Sequence, residues 1–338
     1  MTTTAADPST ASARTIAEQL LQAFDAARPQ ISLPVIESLR QMVDETKHQD
    51  PPRAMQIART ALAAAELLAE PLALATAAWA MATAHVFLFE LANALSHYRT
   101  AEAIFEANGQ LRNLVSVQSP QVYVLNALGD PTAALELADR VRPNCLALGK
   151  DGLTSLVNLE MNVGTVLIQR GQFEASLAAG DRASAAATAL GDSAALGRID
   201  INRANVFQEL DRYSDAERCY QQARQSLVAS LQNRQQVALV DLNLGLLALR
   251  RGDYWQALQH LEGAASGFSS SAHIAWVDFN RALLYDRLNL NSETVELAAR
   301  AVDARVQPRH RGGGRQPRRR DVAVREHAGR QPGAQVFE

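Results

Sequence analysis

Four asparagines recur along the chain at nearly constant spacing, and their side chains could bind a peptide backbone. An asparagine amide offers one acceptor and two donors, so it can pair with both halves of a peptide bond. A row of such amides along a groove would hold an extended peptide largely independently of its sequence. The row consists of Asn162, Asn202, Asn243 and Asn280, separated by 40, 41 and 37 residues. The same amides could instead satisfy local backbone groups, and both interpretations stay open at this stage.

Polar residues one turn from Asn202 could add specificity to such a site. Arg198 and Asn205 lie one turn away along the same helical face, and the Arg198 guanidinium could pair with a partner carboxylate. Taken singly, each of these side chains is also typical of a solvated surface. The sequence therefore predicts a peptide-binding set of six residues: Asn162, Asn202, Asn243, Asn280, Arg198 and Asn205.

A second row is acidic and points elsewhere. It precedes each asparagine by two residues, about 200° around a helix, so the two rows do not form one site. Its members are Glu160, Asp200, Asp241 and Asp278. We interpret them as stabilising charges at the seams between helices.

Residues for catalysis or metal binding are scattered. The seven histidines show no HExxH or paired His–Cys spacing, so we expect no metal and no cofactor. Cys145 and Cys219 fall on apolar helix faces, where cysteine is usually part of the core. The Gly312–Gly314 run lacks the Gly-Lys-Ser/Thr ending of a phosphate loop. The sequence therefore favours a protein that is not an enzyme.

An internal repeat determines which elements carry these residues. One slot of the repeat recurs about every 40 residues, at Met42, Ala82, Val122, Gly164, Ala204, Gly245 and Ala282. Most of its residues are small, and each of the four asparagines lies two residues before it. Apolar residues follow a helical period from Gln236 to Arg251 and again from Tyr254 to Phe268, with Gly252-Asp253 breaking the chain between them. A fixed period of this length predicts seven antiparallel helix pairs stacked as an all-α solenoid.

This pattern resembles the tetratricopeptide-repeat (TPR) family, in the long-unit form typical of bacterial multidomain regulators. The resemblance rests on Asn243-Leu244-Gly245, Gly252-Asp253-Tyr254, Ala257 and Ala264. The family usually has 34 residues per unit and often a tryptophan four residues before the slot, where this chain has the acidic row. The resemblance implies a right-handed superhelix whose first helices line a concave groove that binds peptides or partner helices.

The ends of the chain differ from the repeat in composition. We expect residues 1–14 to form a disordered arm, residues 15–304 the array (most regular over 154–268), and residues 305–338 a disordered tail. The tail holds nine Arg and three acids, so its net charge is +6. Residues 1–304 therefore carry a net charge of -9, although that of the whole chain is only -3. An acidic array disfavours nucleic acid, except through the tail itself. The tail is either genuine or the product of a frameshift.

Targeting signals and membrane spans are not evident. The first residues lack a basic start and an apolar core. The uncharged stretch from 71 to 89 is Ala-rich, so we interpret it as a buried helix, and we expect a cytoplasmic protein. The leading hypothesis is a scaffold that binds a protein or peptide segment through the asparagine row. The alternative is the sensory part of a bacterial signalling protein, transcription regulator or CHAT-type peptidase whose effector domain is missing.

Overall fold

A computed structural model describes residues 8–228, 234–268 and 271–306, and within these ranges the regular structure is entirely helical. The helices are α1 Pro8–Gln22, α2 Phe24–Ala27, α3 Leu33–Thr46, α4 Pro51–Leu68, α5 Pro71–Phe87, α6 Leu91–Ala107, α7 Leu111–Ala127, α8 Pro131–Ala147, α9 Leu153–Gln169, α10 Phe173–Leu190, α11 Ser193–Glu209, α12 Tyr213–Val228, α13 Arg234–Arg251, α14 Tyr254–Gly267, α15 Ser271–Arg287 and α16 Asn291–Val306. Short 3-10 turns occupy Arg28–Gln30 and Gly149–Gly152. The all-α helical-repeat fold class expected from the sequence is confirmed.

The chain divides into two compact units. The N-terminal unit covers Met1–Ala175 and the C-terminal unit covers Ser176–Glu338, so the boundary falls within α10. In the N-terminal unit, α3 contacts α4, α5 contacts α6 and α7 contacts α8, and each pair contacts the next. In the C-terminal unit, α11 contacts α12, α13 contacts α14 and α15 contacts α16. The seven slot residues all fall in first helices, the odd-numbered helices from α3 to α15.

Part of the disordered arm expected over residues 1–14 is helical, and residues 1–7 lie outside the described residues. Helix α1 begins at Pro8, inside that segment. Ala13, Ala17 and Leu20 are buried in one cluster with α3 and α4. Two of the three are alanines, which by themselves give only a weak apolar pattern in the sequence. The helix forms because it covers the apolar end of the first pair. The Arg-rich tail from residue 307 lies outside the described residues.

The Gly-Asp turns explain how one helix of a pair ends and the next begins. Gly252 has φ +78°, a left-handed conformation that glycine adopts without steric cost and that ends α13. Asp253 then caps α14, since its carboxylate accepts the Gln256 N–H at 3.2 Å. Asp130 caps α8 in the same way, by accepting the Ala133 N–H at 2.9 Å. The Gly-Asp dipeptide therefore ends the first helix of a pair and caps the N-terminus of the second.

Small residues at the repeat slot permit close helix contact, as the sequence predicted. A Cβ atom added to Gly245 would lie 3.0 Å from the Leu261 side chain and 3.3 Å from the Ala257 carbonyl oxygen. Ala257 and Ala264 have no exposed surface. These two contacts leave no room for a larger side chain on α13 at this point.

We predict that Gly245→Val lowers the free energy of unfolding by about 1–3 kcal/mol, because the added methyl groups must displace Leu261 and the backbone of α14. Urea denaturation of the variant measures the loss. Gly180→Ala is the matched control, since its Cβ would meet only the flexible Arg203 side chain at 3.3 Å. That control should gain about 0.5–1 kcal/mol from the lower backbone entropy of alanine. Equal effects at both glycines would contradict the prediction.

The uncharged stretch that begins at Pro71 forms α5, and most of its side chains are buried within the repeat. Its buried positions surround the helix on nearly all sides, which is why the sequence there lacks a polar stripe. Among the described helices, none is long and apolar enough to cross a membrane.

Candidate functional site

The predicted asparagine row lies along the first helices, but most of its members are engaged within the fold. The Asn162 amide, half-buried on α9, donates to the Ser119 carbonyl oxygen on α7 at 3.1 Å. The Asn280 amide donates to the Trp276 carbonyl oxygen at 2.8 Å, and the residue is 6% exposed. Asn243 is 2% exposed. Asn162 and Asn280 therefore fit the local structural role that the sequence left open. Asn243 is buried, but its Nδ2 finds no hydrogen-bond partner among the described residues.

Asn202 differs from the other three asparagines. It is half-buried on α11, and its side chain makes no hydrogen bond to another described residue. Arg198, also half-buried, lies four residues earlier and so on the same face of α11. Burial lowers the pKa of the Arg198 guanidinium, and the nearby Asp192 carboxylate opposes this shift. The pair presents a partly desolvated cation beside an amide.

Asn205, the sixth predicted site residue, lies in the core of the C-terminal unit. It is 8% exposed, and its Oδ1 accepts the Tyr220 hydroxyl proton at 2.5 Å. The same hydroxyl oxygen accepts from Gln208 Nε2 at 2.5 Å. Burial raises the pKa of Tyr220, so the hydroxyl keeps its proton and remains a donor. This chain of hydrogen bonds joins α11 to α12.

Three of the four residues of the acidic row form buried ion pairs at helix seams, in agreement with the sequence interpretation. Glu160 on α9 has no exposed surface and accepts from Arg142 Nε of α8 at 2.5 Å. Asp241 on α13 accepts from Arg224 Nε of α12 at 2.8 Å. Asp278 is paired at 3.1 Å with Arg300 of α16. An arginine on a second helix therefore neutralises each of these three carboxylates.

The pKa shifts show that members of the acidic row are not equivalent. Burial acts to raise the pKa of Asp241, but hydrogen bonds from His260 and Arg224 outweigh it, and the pKa is lowered. For Asp200 burial dominates and raises the pKa, since the Arg203 charge offsets only part of it. Asp241 is thus stabilised as an anion, whereas the fold disfavours the charge on Asp200.

The cysteines have the properties of core residues, as predicted. Cys145 and Cys219 are 1% and 5% exposed. Burial, aided by the Glu160 charge, raises the pKa of Cys145 to about 11, and burial likewise raises that of Cys219. A thiol with a raised pKa is a poor nucleophile at neutral pH. In the part of the chain that the structure describes, no group of histidines, cysteines and carboxylates could hold a metal ion.

The sequence did not predict a contact between two of the histidines, because they are twelve residues apart and lie on different helices. The rings of His85 and His97 stack with centroids 5.3 Å apart, and His85 Nδ1 lies 2.6 Å from Glu90 Oε2. Burial and the neighbouring His85 lower the pKa of His97. Only the packing of α5 against α6 brings the two rings together.

Comparison with known proteins supports the repeat assignment. The family model for the tetratricopeptide repeat matches residues 155–227, which cover α10 and α11 and nearly all of α9 and α12. Residues 155–227 carry the tetratricopeptide-repeat pattern. The search of curated proteins found no match to this chain in sequence.

Solved structures resemble this chain in fold. The apo quorum sensor NprR from B. thuringiensis is 12% identical, with a TM-score of 0.62 over 88% of this chain and 87% of that chain. NprR in complex with its cognate peptide NprX is 10% identical, with a TM-score of 0.56 over 87% and 89%. BtubC from P. vanneervenii is 19% identical, with a TM-score of 0.56 over 71% and 97%. At such identities the likeness establishes the helical-repeat fold.

Proposed function

We propose that this TPR chain is a non-enzymatic scaffold that binds a protein or peptide segment on α11, at Arg198 and Asn202. The observation that carries the proposal is the half-buried guanidinium with a lowered pKa, one helical turn from an amide that has no partner among the described residues. Both residues lie inside the stretch matched by the TPR family model. The expected ligand is a segment with one carboxylate close to an extended stretch of backbone.

The chemistry of the two side chains is complementary to such a segment. A carboxylate placed against Arg198 would replace the hydration that the guanidinium loses on burial. The Asn202 amide would pair with the N–H and C=O of one peptide bond. Hydrogen bonds to a charged group contribute about 1.5–3 kcal/mol each, and those between neutral groups about 0.5–1.5 kcal/mol. Arg198 therefore supplies more of the affinity than Asn202.

The other asparagines enter the proposal in a different role. Asn162 and Asn280 would have to exchange existing hydrogen bonds to backbone carbonyls, and Asn243 would have to leave the core. Such exchange gains little free energy, because one hydrogen bond replaces another. We therefore assign these three residues to the packing of the repeat and confine the binding site to α11. The peptide complex of NprR supports a peptide as the type of ligand.

The proposal predicts a graded loss of affinity on substitution at α11. Dodecapeptides selected from a randomised library on the whole chain should bind Arg198→Ala about 10–100-fold more weakly and Asn202→Ala about 2–10-fold more weakly. Isothermal titration calorimetry measures both losses, and circular dichroism checks that helicity is intact. Arg218→Ala is the control, because its exposed guanidinium lies on the second helix α12. Peptides that bind both α11 variants as tightly as the unaltered chain would refute the site.

A second candidate function is a sensory module of a bacterial regulator. The fold likeness to the quorum sensor NprR favours it. This candidate predicts that a short peptide suffices for binding and changes the hydrogen exchange of helices beyond α11. The scaffold candidate predicts protection confined to the bound face. Hydrogen exchange with and without a selected peptide distinguishes the two.

A further inference from the structure

Phe89 occupies a backbone conformation that is unfavourable for its side chain. It lies in the turn between α5 and α6 with φ +58°. The corresponding turns of other pairs place Gly129, Gly171 or Gly252 in this left-handed region, or the short polar residues Asp211 and Asn289. A bulky L-residue is rare in that region, because its Cβ approaches the following carbonyl oxygen. The residue therefore costs stability where a glycine would not.

Burial does not compensate for this cost. Phe89 is 71% exposed, the most exposed of the large apolar side chains in the described residues. Its ring gains little from the hydrophobic effect within the chain. Backbone strain that the fold does not require is found preferentially at functional sites. The strained and exposed ring thus points to a role outside the chain's own stability.

A shallow depression lies on the helix that Phe89 precedes. It measures about 490 Å³ and is lined by Ala92, Leu95, Ser96, Arg99, Thr100 and Leu128. The first five belong to α6, and Leu128, 45% exposed, belongs to the corresponding turn of the next pair. Phe89 stands three residues before Ala92, at the same edge of the pair. The exposed Leu128 thus lines the depression itself, and the exposed Phe89 lies in the turn that leads into α6.

Arg99 is the charged residue of this lining. It is exposed and forms no ion pair with any residue in the described ranges. Its neighbours in the depression are apolar or hydroxyl-bearing, so no carboxylate of the lining neutralises it. We propose that Phe89, Leu95, Leu128 and Arg99 form a docking surface for a protein segment that carries an apolar side chain beside a carboxylate. The surface lies on a second helix of the N-terminal unit and does not depend on the α11 site.

Charge distribution selects this partner over other macromolecules. Glu90, 50% exposed, and Asp130, also exposed, lie in the same two turns as Phe89 and Leu128. They would repel a polyphosphate or an anionic membrane, which brings many negative charges, more strongly than a segment that brings one carboxylate to Arg99. A single guanidinium among apolar groups fits one carboxylate with adjacent apolar contact.

The test uses two libraries of acetylated dodecapeptides in a Gly/Ser background. Each peptide of the first carries one Phe or Leu and one Glu at spacings of one to four residues, and the second has Gln in place of Glu. Fluorescence anisotropy with the whole chain should detect members of the first library only. Arg99→Glu should weaken their binding at least tenfold, whereas Arg59→Glu, an exposed arginine on α4, should leave it unchanged. Failure of every Glu peptide, or equal binding to Arg99→Glu, would overturn the proposal.

Phe89→Gly separates docking from a structural role. The variant should unfold about 2–4 °C higher, because glycine relieves the left-handed strain. The same variant should lose at least fivefold in affinity for the Glu peptides, because the ring no longer contacts them. A rise in the unfolding temperature without loss of binding would remove Phe89 from the surface, and a fall in that temperature would contradict the strain argument.

Discussion

Replacing Arg142 with alanine should lower the free energy of unfolding of the N-terminal unit by about 3–5 kcal/mol. The guanidinium donates to Glu160 at 2.5 Å, and the carboxylate has no exposed surface. A buried carboxylate that loses its arginine cannot recover that charged hydrogen bond from water, so more of the desolvation cost remains uncompensated in the folded state. Urea denaturation, followed by the fluorescence of Trp79 with Trp255 and Trp276 replaced by phenylalanine, measures the N-terminal unit alone.

Two further variants show that the effect comes from the buried pair. Arg140→Ala, an exposed position two residues earlier on α8, should change the stability by less than about 0.5 kcal/mol. The double variant Arg142→Met, Glu160→Leu should recover most of the loss, because an apolar pair of similar volume needs no charge partner. A loss below about 1 kcal/mol in Arg142→Ala would show that the seam does not depend on this ion pair.

Replacing Tyr220 should be equally damaging in the C-terminal unit. Tyr220→Ala removes a fully buried aromatic ring and should cost about 3–5 kcal/mol through lost contacts and a cavity. Tyr220→Phe keeps the ring but leaves Asn205 Oδ1 and Gln208 Nε2 without their common partner. Unsatisfied buried polar groups cost about 1–3 kcal/mol, so the phenylalanine variant should be intermediate.

The stability of the Tyr220 variants is measured in a chain that keeps only the two tryptophans of the C-terminal unit. With Trp79 replaced by phenylalanine, Trp255 and Trp276 report the unfolding of the C-terminal unit. Tyr213→Phe is the control, since its hydroxyl donates to the exposed Asp211 carboxylate at 2.7 Å. That control should remain within about 0.5 kcal/mol of the unaltered chain. If Tyr220→Phe is as stable as the control, Asn205 is free to serve in binding and the core assignment fails.

The repeat period was readable from the sequence because close helix contact restricts side-chain size. A Cβ at Gly245 would lie 3.0 Å from the Leu261 side chain, so this position of the slot admits only a very small residue. Five of the seven slot residues are glycine or alanine. The Gly252-Asp253 turn was equally readable, since few other dipeptides both end and cap a helix. These constraints act within one pair and leave a local pattern. Helix α1 left no such pattern, because its Ala13 and Ala17 become apolar anchors only against α3 and α4.

The burial and contacts of the site residues were harder to predict, because they depend on the rotation of each helix about its axis. The sequence places Asn202 and Asn243 at the same position of the repeat, yet one is half-buried and the other 2% exposed. Asn205 lies three residues after Asn202, one helical turn away, but it meets Tyr220 of α12 in the core. No spacing rule encodes such rotation, since it results from the packing of all neighbouring side chains.

By itself, the sequence determined the repeat, the positions of the first and second helices, the acidic seams and the core location of both cysteines. Each of these features follows from the period of the sequence or from its composition, because both reflect interactions within one helix pair. The tertiary structure decided which polar side chains remain available: Arg198 and Asn202 on α11, and Arg99 beside the strained Phe89. Availability depends on contacts between residues distant in sequence, and those contacts exist only once the helices have packed.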